Sequence, residues 1–374
     1  MIEKSCTIWI NGRFLSRKIT GVERVAHELL RALDDNYLDD AASCNCAGLQ
    51  LFFKIAAPRS SELEIPKNIG RIPVHIIGPH TGHAWEQLTL SRWSPDDWLL
   101  NLCNTAPLLR RRQSVFFHDA QVFAIPGNFD WKFRLWYRAL LNISGRRAQN
   151  LFTNSQFSRS ELCKYTGIRA EKITVIHLGA DHMRRLTPSL SREAQALIPN
   201  EPFLLAVSSS SPNKNFGAVV KAVQILGEKA PPCVFVGQKY SKVFSDLDLD
   251  ASLVTELGYV TDETLAALYS QALCLVYPSI YEGFGLPPVE AMTFGTPVIV
   301  SNSSSLPEIC GNGALYCDPL DPKSLAAMIE RLQSDPAARS TIGLKGNERA
   351  RSFTWKNGAS TMLDTLTAAL KSAS

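Results

Sequence analysis

The sequence predicts an α/β protein of two doubly wound domains that face each other across a cleft. Three observations predict it. Short apolar runs alternate with amphipathic helical segments in both halves of the chain. Its 374 residues are enough for two ordinary domains. A polar stretch at 182–200, with two prolines, divides the alternating halves. The expected domains are 1–185 and 200–354.

Composition narrows the class. Hydrophobic residues make up 45% and charged residues 20%, as in soluble proteins with full cores. No run of about 18 apolar residues offers a membrane span. The first residues, Met1-Ile-Glu-Lys-Ser-Cys6, lack the apolar run of a signal peptide. The nine cysteines are scattered and odd in number, so they read as reduced thiols in a cytosol. Cys44-Asn-Cys46 is a close pair without a partner pair at zinc spacing, and reads as a plain loop. Charge is uneven: residues 1–190 carry 25 Lys and Arg against 17 Asp and Glu, the remainder 14 against 18. A basic first half and an acidic second half suggest different partners.

The first half begins with a strand at 7–10. Val22, Val25, Ala26, Leu29, Leu30 and Leu33 then recur at helical spacing. Gly21 therefore precedes a helix N-terminus, where backbone can meet a ligand. It is not part of a G-x-G-x-x-G fingerprint, which argues against dinucleotide binding. Further strands are expected at 49–56, 74–77, 98–102, 115–117, 151–153 and 172–176, with a loop at 57–73. His118-Asp119 falls just past a strand, and ligands of open parallel sheets sit at carboxyl ends of strands. The alternative for His118 is a hydrogen-bonded surface histidine. Arg110-Arg-Arg112 reads as a solvated loop. Phe129, Phe133, Trp136 and Leu140 form a helical stripe among Lys132, Arg134, Arg138, Arg146 and Arg147. That helix either lies on an anionic membrane surface or packs on its own domain with solvated arginines. No nucleic-acid reader motif accompanies these charges, so nucleic acid is not an expected partner. Ser155 caps a helix that runs through Cys163.

The second half repeats the alternation. Strands are expected at 203–207, 234–236, near Val254, at 273–277 and at 297–301. Helices are expected at 216–226, 262–271 (capped by Thr261 or Asp262), 321–334, 336–350 and from 355 onward. The loop 208–215 carries Lys214. Asp246-Leu-Asp-Leu-Asp250 contains D-x-D but reads as a solvated loop rather than a metal site.

The densest chemistry lies in Pro278-Ser-Ile-Tyr-Glu282-Gly-Phe-Gly-Leu-Pro-Pro-Val-Glu290. A strand, a tight glycine loop and a helix N-terminus follow one another here. Pro287 and Pro288 suit a first helical turn, which needs no amide hydrogen. Gly283 and Gly285 let backbone amides approach a ligand closely. Such a helix start attracts anions, whereas Glu282 and Glu290 would accept hydrogen bonds from hydroxyls. A ligand with phosphate and many hydroxyls satisfies both: a nucleotide sugar.

Tyr277 to Val300 closely resembles the E-x7-E region of retaining glycosyltransferases with the GT-B fold, the large family 4. The likeness continues through Ser303-Ser-Ser-Leu-Pro-Glu-Ile309 and Gly313-Ala-Leu-Tyr-Cys-Asp-Pro319. In the first half Gly21-Val-Glu-Arg24, His118-Asp119 and Asn154-Ser155 are similar to it too, while residues 35–110 match thinly.

The resemblance implies roles. Glu290 binds donor ribose hydroxyls and Glu282 lies near the sugar. Gly283 and the amides of Phe284, Gly285 and Leu286 hold sugar hydroxyls and phosphate. Lys214 neutralises the pyrophosphate, the Val260 backbone meets the base, His118 lies at the reacting sugar, and Gly21 faces the diphosphate. The helix from Trp355 crosses back onto the first domain. Family members usually place an arginine beside this lysine, at positions that are Ser209 and Asn213 here, which leaves Lys214 alone unless Lys239 compensates. The implied activity is retaining, metal-independent hexosyl transfer without a cofactor, from GDP-mannose or another GDP-, UDP- or dTDP-sugar. The implied acceptor is a lipid-linked or polysaccharide glycan, at a cytoplasmic location peripheral to the inner face of a membrane. The rival readings are a non-catalytic sugar-nucleotide-binding scaffold, and a nicotinamide oxidoreductase, which lacks its glycine fingerprint.

Overall fold

A computed structural model describes residues 4–60, 69–208, 211–237 and 254–373. It divides into two compact units: Met1–Gly179 with Trp355–Ser374, and Ala180–Thr354. The boundary thus falls at Gly179, not after residue 185, and the 180–199 stretch belongs with the second unit.

In the first unit the strands are β1 (Lys4–Asn11), β2 (Ser43–Cys46), β3 (Leu49–Ala57), β4 (Val74–Ile76), β5 (Trp98–Asn101), β6 (Gln113–Phe116), β7 (Asn150–Thr153) and β8 (Ile173–Val175). They form one sheet in the order β2-β3-β1-β5-β6-β7-β8, with β4 on β3. Each pair is parallel except β2–β3. Central strands such as β5 and β6 are buried along their whole length, as crossover helices on both faces of a parallel sheet demand. The polar edge strand β2 corrects the loop expected at Cys44-Asn-Cys46. It pairs antiparallel to β3, with the two sulfurs 3.6 Å apart.

Three long helices follow the expected spacing: α1 (Gly21–Tyr37), α2 (Trp131–Arg147) and α3 (Gln156–Thr166, capped by Ser155). α2 starts later than its apolar stripe suggested. The Asp130 carboxylate accepts from the amides of Lys132 and Phe133 and ends the loop there. Phe129 remains outside the helix, stacked 5.2 Å from Phe133. Leu140 is buried, but Trp131 and Leu135 are 64% and 65% exposed. Arg110 also departs from expectation. It is buried, and its guanidinium donates to the carbonyls of Leu90, Trp93, Ser94 and Asp97. Burial lowers its pKa to about 10, and the carbonyls supply the partners that a desolvated cation requires.

The second unit holds a six-stranded parallel sheet: β9 (Leu204–Ser208), β10 (Cys233–Gly237), β11 (Val254–Gly258), β12 (Cys274–Tyr277), β13 (Val298–Ser301) and β14 (Leu315–Cys317), in the order β11-β10-β9-β12-β13-β14. Its helices are α4 (Phe216–Leu226), α5 (Asp262–Gln271, capped by Thr261), α6 (Leu286–Thr293), α7 (Pro322–Ser334) and α8 (Pro336–Ala350). Val219 and Val220 of α4 and Leu325 and Ile329 of α7 share one core with Leu204 and Val276. The last helix, α9 (Trp355–Ser372), belongs to the first unit. There Trp355 is buried, and a Cβ on Gly358 would stand 3.1 Å from Leu29 of α1.

α8 lies against the loop after α6 so closely that a Cβ on Gly343 would meet the Gly295 carbonyl at 2.3 Å. Backbone cannot yield as a side-chain tip can. Gly343→Ala is therefore expected to destabilise the second unit by about 1–3 kcal/mol, read as a lowered midpoint in thermal or urea unfolding. An unchanged midpoint would show that this contact is not tight.

Candidate active site

In the second unit the loops at the carboxyl ends of β9, β12 and β13 carry the motif residues, where open parallel sheets place ligands. β12 ends at Tyr277. The chain then turns through Glu282 to Gly285, whose φ of 92° suits glycine and opens α6. A Cβ there would also strike Leu306 at 2.5 Å. Pro287 and Pro288 occupy the first turn of α6. The loop is pinned from the segment after β13: Glu282 N–H donates to Ser304 Oγ, and Ser305 Oγ–H donates to the Glu282 carbonyl, each at 3.0 Å. Phe284 is buried edge-on against Phe353.

Lys214 and Glu282, 68 positions apart, meet here. Lys214 Nζ donates to Glu282 Oε1 at 2.7 Å and to the Tyr277 hydroxyl at 2.9 Å, and Tyr277 in turn donates to Glu282 Oε1 at 2.9 Å. The ammonium also lies over the Tyr277 ring, 5.3 Å from its centroid. Both charged side chains are largely buried, 18% and 9% exposed. Burial alone would lower the Lys214 pKa, but the Glu282 charge and Tyr277 outweigh it and hold the ammonium above its ordinary value. Burial, then the Glu282 charge, pushes the Tyr277 phenol up. Lys214 is therefore held by a carboxylate and a phenol. Asn213, at one arginine position of the family, ties the lysine turn to the motif: its Nδ2 donates to the Tyr281 carbonyl and its own carbonyl accepts from Ile280 N–H, each at 2.8 Å. Ser209, Lys239 and Asp246–Asp250 lie outside the described residues.

Glu290 sits one turn into α6, buried. His182 Nε2 lies 3.1 Å from its Oε1, and the Tyr269 hydroxyl donates to its Oε2 at 3.0 Å. Val260 follows β11 just ahead of Thr261, the cap of α5. Tyr277, His182 and Tyr269 were not singled out by sequence. Tyr277 lies inside the recognised motif, so its position offered a signal. His182 and Tyr269 offered none, because only folding brings them to Glu290.

The first unit holds Gly21 and His118. Gly21 opens α1, and Glu23 in that first turn is buried, bonded by Thr20 Oγ1 and paired with Arg17 at 2.9 Å. His118 is not a surface histidine: it is buried, 4% exposed, and stacked on Phe116. Its Nε2–H donates to the Leu102 carbonyl at 2.9 Å, so Nδ1 carries the lone pair. Its backbone N–H donates to Asn104 Oδ1. Burial lowers its pKa to about 4, against smaller raising contributions from the Leu102 bond and Glu23. Glu86, on the irregular helical segment 82–92 that sequence did not resolve, is another buried carboxylate.

Residues 71–184 match the model described as Glycosyltransferase Family 4, and 189–349 that of Glycosyl transferases group 1. The chain is 34% identical over 241 residues to the O-antigen chain mannosyltransferase RfbU of Salmonella typhimurium, covering 63% of this chain and 65% of that protein. It is 33% identical over 261 residues to the O-antigen chain mannosyltransferase B of Escherichia coli, covering 66% and 68%. The chain belongs to glycosyltransferase family 4, a retaining family. A member's fold follows: the structure of Anabaena HepE with UDP and glucose superposes with a TM-score of 0.75 at 20% identity, over 98% of this chain and all of that one. The GT-B structure of WaaG, a glycosyltransferase involved in lipopolysaccharide biosynthesis, gives 0.69 at 15%, over 97% and 99%. The family 4 chain spans about two thirds of the two O-antigen relatives. It spans 46% of the serotype-specific mannosyltransferase WbdA of Escherichia coli, at 25% identity over 99% of its own length.

The buried His118 sets a pH expectation. Its folded pKa lies below the unfolded value, so the unfolded chain binds the proton more readily. Stability is then lost as pH falls from about 6.5 to about 4, by on the order of 3 kcal/mol. An NMR titration should find His118 neutral at pH 5, and His118→Gln should flatten the acid limb of the stability profile. An imidazole already half-protonated at pH 6 would contradict the burial argument.

Proposed function

We propose that this chain is a retaining mannosyltransferase that moves mannose from GDP-mannose to a growing polysaccharide or lipid-linked glycan. The observation that carries the reading is the 33–34% identity to two O-antigen mannosyltransferases over 241 and 261 residues, beside the family-model match at 189–349, which includes the Glu282–Glu290 unit.

The site chemistry fits it. Lys214, a permanent cation, is the group that takes the charge of the leaving diphosphate, exchanging part of its contact with Glu282 for phosphate oxygens. The amides of Phe284, Gly285 and Leu286 at the start of α6 add donors to the same group. Gly283 leaves room for that approach, and Glu282 accepts from sugar hydroxyls. Glu290 is oriented by His182 and Tyr269, and a carboxylate retains lone pairs for two ribose hydroxyls after those two bonds. The Val260 backbone meets the base, and Gly21 faces the diphosphate. Neutral His118 acts as a hydrogen-bond partner of the reacting sugar through Nδ1, not as a cation. No step calls for a metal. Among the described residues no group of three or more His, Cys, Asp or Glu is placed to hold one, and no helix is long and apolar enough to cross a membrane.

Exposed Trp131 and Leu135 on α2, beside Lys132, Arg134 and Arg138, suit peripheral contact with an anionic membrane at the cytoplasmic face.

A thermal-shift panel of GDP-, UDP- and dTDP-sugars tests the donor: GDP-mannose should stabilise most, and a larger shift with a UDP-sugar would overturn that choice. Glu282→Ala would leave the buried Lys214 ammonium with neither a counter-charge nor an acceptor there, so Glu282→Gln is the cleaner probe. It keeps acceptor oxygen for Lys214 and Tyr277 but removes the charge. Transfer should fall by about 100-fold or more with folding retained; wild-type turnover would refute the role of Glu282. Trp131→Glu with Leu135→Glu should abolish co-sedimentation with vesicles containing phosphatidylglycerol, and equal binding would place the membrane contact elsewhere.

A further inference from the structure

A second polar cluster in the first unit has no role in the donor chemistry above. Its floor is Glu86, fully buried, which bonds Arg13, accepts from Asn11 Nδ2 at 2.9 Å and from Thr105 Oγ1 at 2.5 Å, and lies 3.2 Å from His83 Nδ1. Burial would raise its pKa, but the His83 bond and the Arg13 charge overcome that and keep it low. Arg13 is thus held flat by an ionised partner. Its guanidinium runs along the His83 ring, 3.0 Å from Nδ1 and 3.4 Å from Nε2. His83, with its side chain 37% exposed, meets Trp136 edge-on at 5.3 Å and Tyr137 at 6.3 Å. Tyr137 stacks on Phe133 at 4.1 Å. Beside Arg13 a notch of about 10 Å³, lined by Arg13, Arg17 and Thr105 with Asn11, Phe14, Leu102 and Cys103, has room for one hydroxyl or one water.

The charges decide what such a place can take. Arg13 is matched by Glu86, and Arg17 by the buried Glu23. A phosphate would meet two carboxylates directly behind the guanidinium groups, so an anion gains little. A neutral polyol gains more. The guanidinium groups carry more N–H donors than one carboxylate each can engage, and the His83 ring along Arg13 meets Trp136 and Tyr137 edge-on. A pyranose ring has this complementary form, with an apolar C–H face and a polar rim.

Resting on the transferase reading, we infer that Arg13, Arg17, His83, Trp136 and Tyr137 form a subsite for an uncharged hexose of the acceptor glycan. Its ring packs against the aromatic edges and one hydroxyl enters the notch between the two arginines. α2 then carries both this subsite and, within two turns, the exposed Trp131 and Leu135.

The test uses the full chain without donor. Methyl α-D-mannopyranoside and methyl α-D-glucopyranoside serve as probes in saturation-transfer-difference NMR. At least one should give a signal with the wild type, reduced about fivefold in His83→Ala, the loss expected for one ring contact. Glu86 keeps Arg13, Asn11 and Thr105 in that variant. Trp136→Phe sacrifices no hydrogen bond, since the indole N–H has no partner among the described residues, and should weaken the same signal. If His83→Ala melts at a lowered temperature, Trp136→Phe alone decides. No signal from either glycoside with the wild type, or an undiminished signal in the folded variants, overturns the subsite. Failure of every nucleotide sugar to stabilise the chain or to turn over refutes the transferase reading instead, and that readout needs no glycoside.

Discussion

The buried contact between Lys214 and Glu282 is the constraint on which the second unit's ligand-facing loops depend. Neither charge could be placed there alone, because an unpaired ion out of water costs several kcal/mol. Two segments distant in sequence must therefore meet in one geometry. The rest follows from that meeting. Tyr277 bridges the pair from the end of β12, Asn213 laces the lysine turn to Tyr281, and Ser304 and Ser305 hold the Glu282 backbone from beyond β13. Gly285 then turns the chain into α6, where no larger side chain has room. The consequence for function is preorganisation: the cation that the proposed chemistry needs is charged and positioned before any donor arrives.

The first unit solves a related problem differently. Its carboxylates Glu86 and Glu23 lie beneath Arg13 and Arg17, and His118 is kept neutral by burial. The result is polar but locally compensated. Arg110 is drawn inward onto four carbonyls, so the basic excess of the first half is not simply a solvated field. Part of it locks loops, part pairs with buried acids, and part remains on α2 beside exposed Trp131 and Leu135. The proposed glycan subsite and membrane contact both draw on this uneven compensation of charge.

Much of this was legible from residues alone. Alternating apolar runs located most strands, because both faces of a parallel sheet are covered and its strands read as continuous apolar segments. Helix starts were legible where a short polar side chain caps them, as at Ser155 and Thr261. Legibility ended where a local signal was missing or overruled. β2 is a polar edge strand that pairs with β3 at the end of the sheet. The segment 82–92 mixes helical types and shows no clean period, and Glu86 went unnoticed with it. Asp130 overrode the apolar stripe and set where α2 begins.

By itself the sequence determined the alternating fold class, the glycine–proline turn that presents Glu282 and Glu290, and the family to which that turn belongs. These are local properties, written in the spacing of neighbouring residues. Only the tertiary structure decided that Lys214 pairs with Glu282, that Tyr269 and His182 orient Glu290, that His118 is buried and neutral, and that Arg13, His83 and Trp136 converge. Those contacts join residues tens of positions apart. Their charge states depend on burial, and burial is a property of the packed chain that no short stretch of sequence carries.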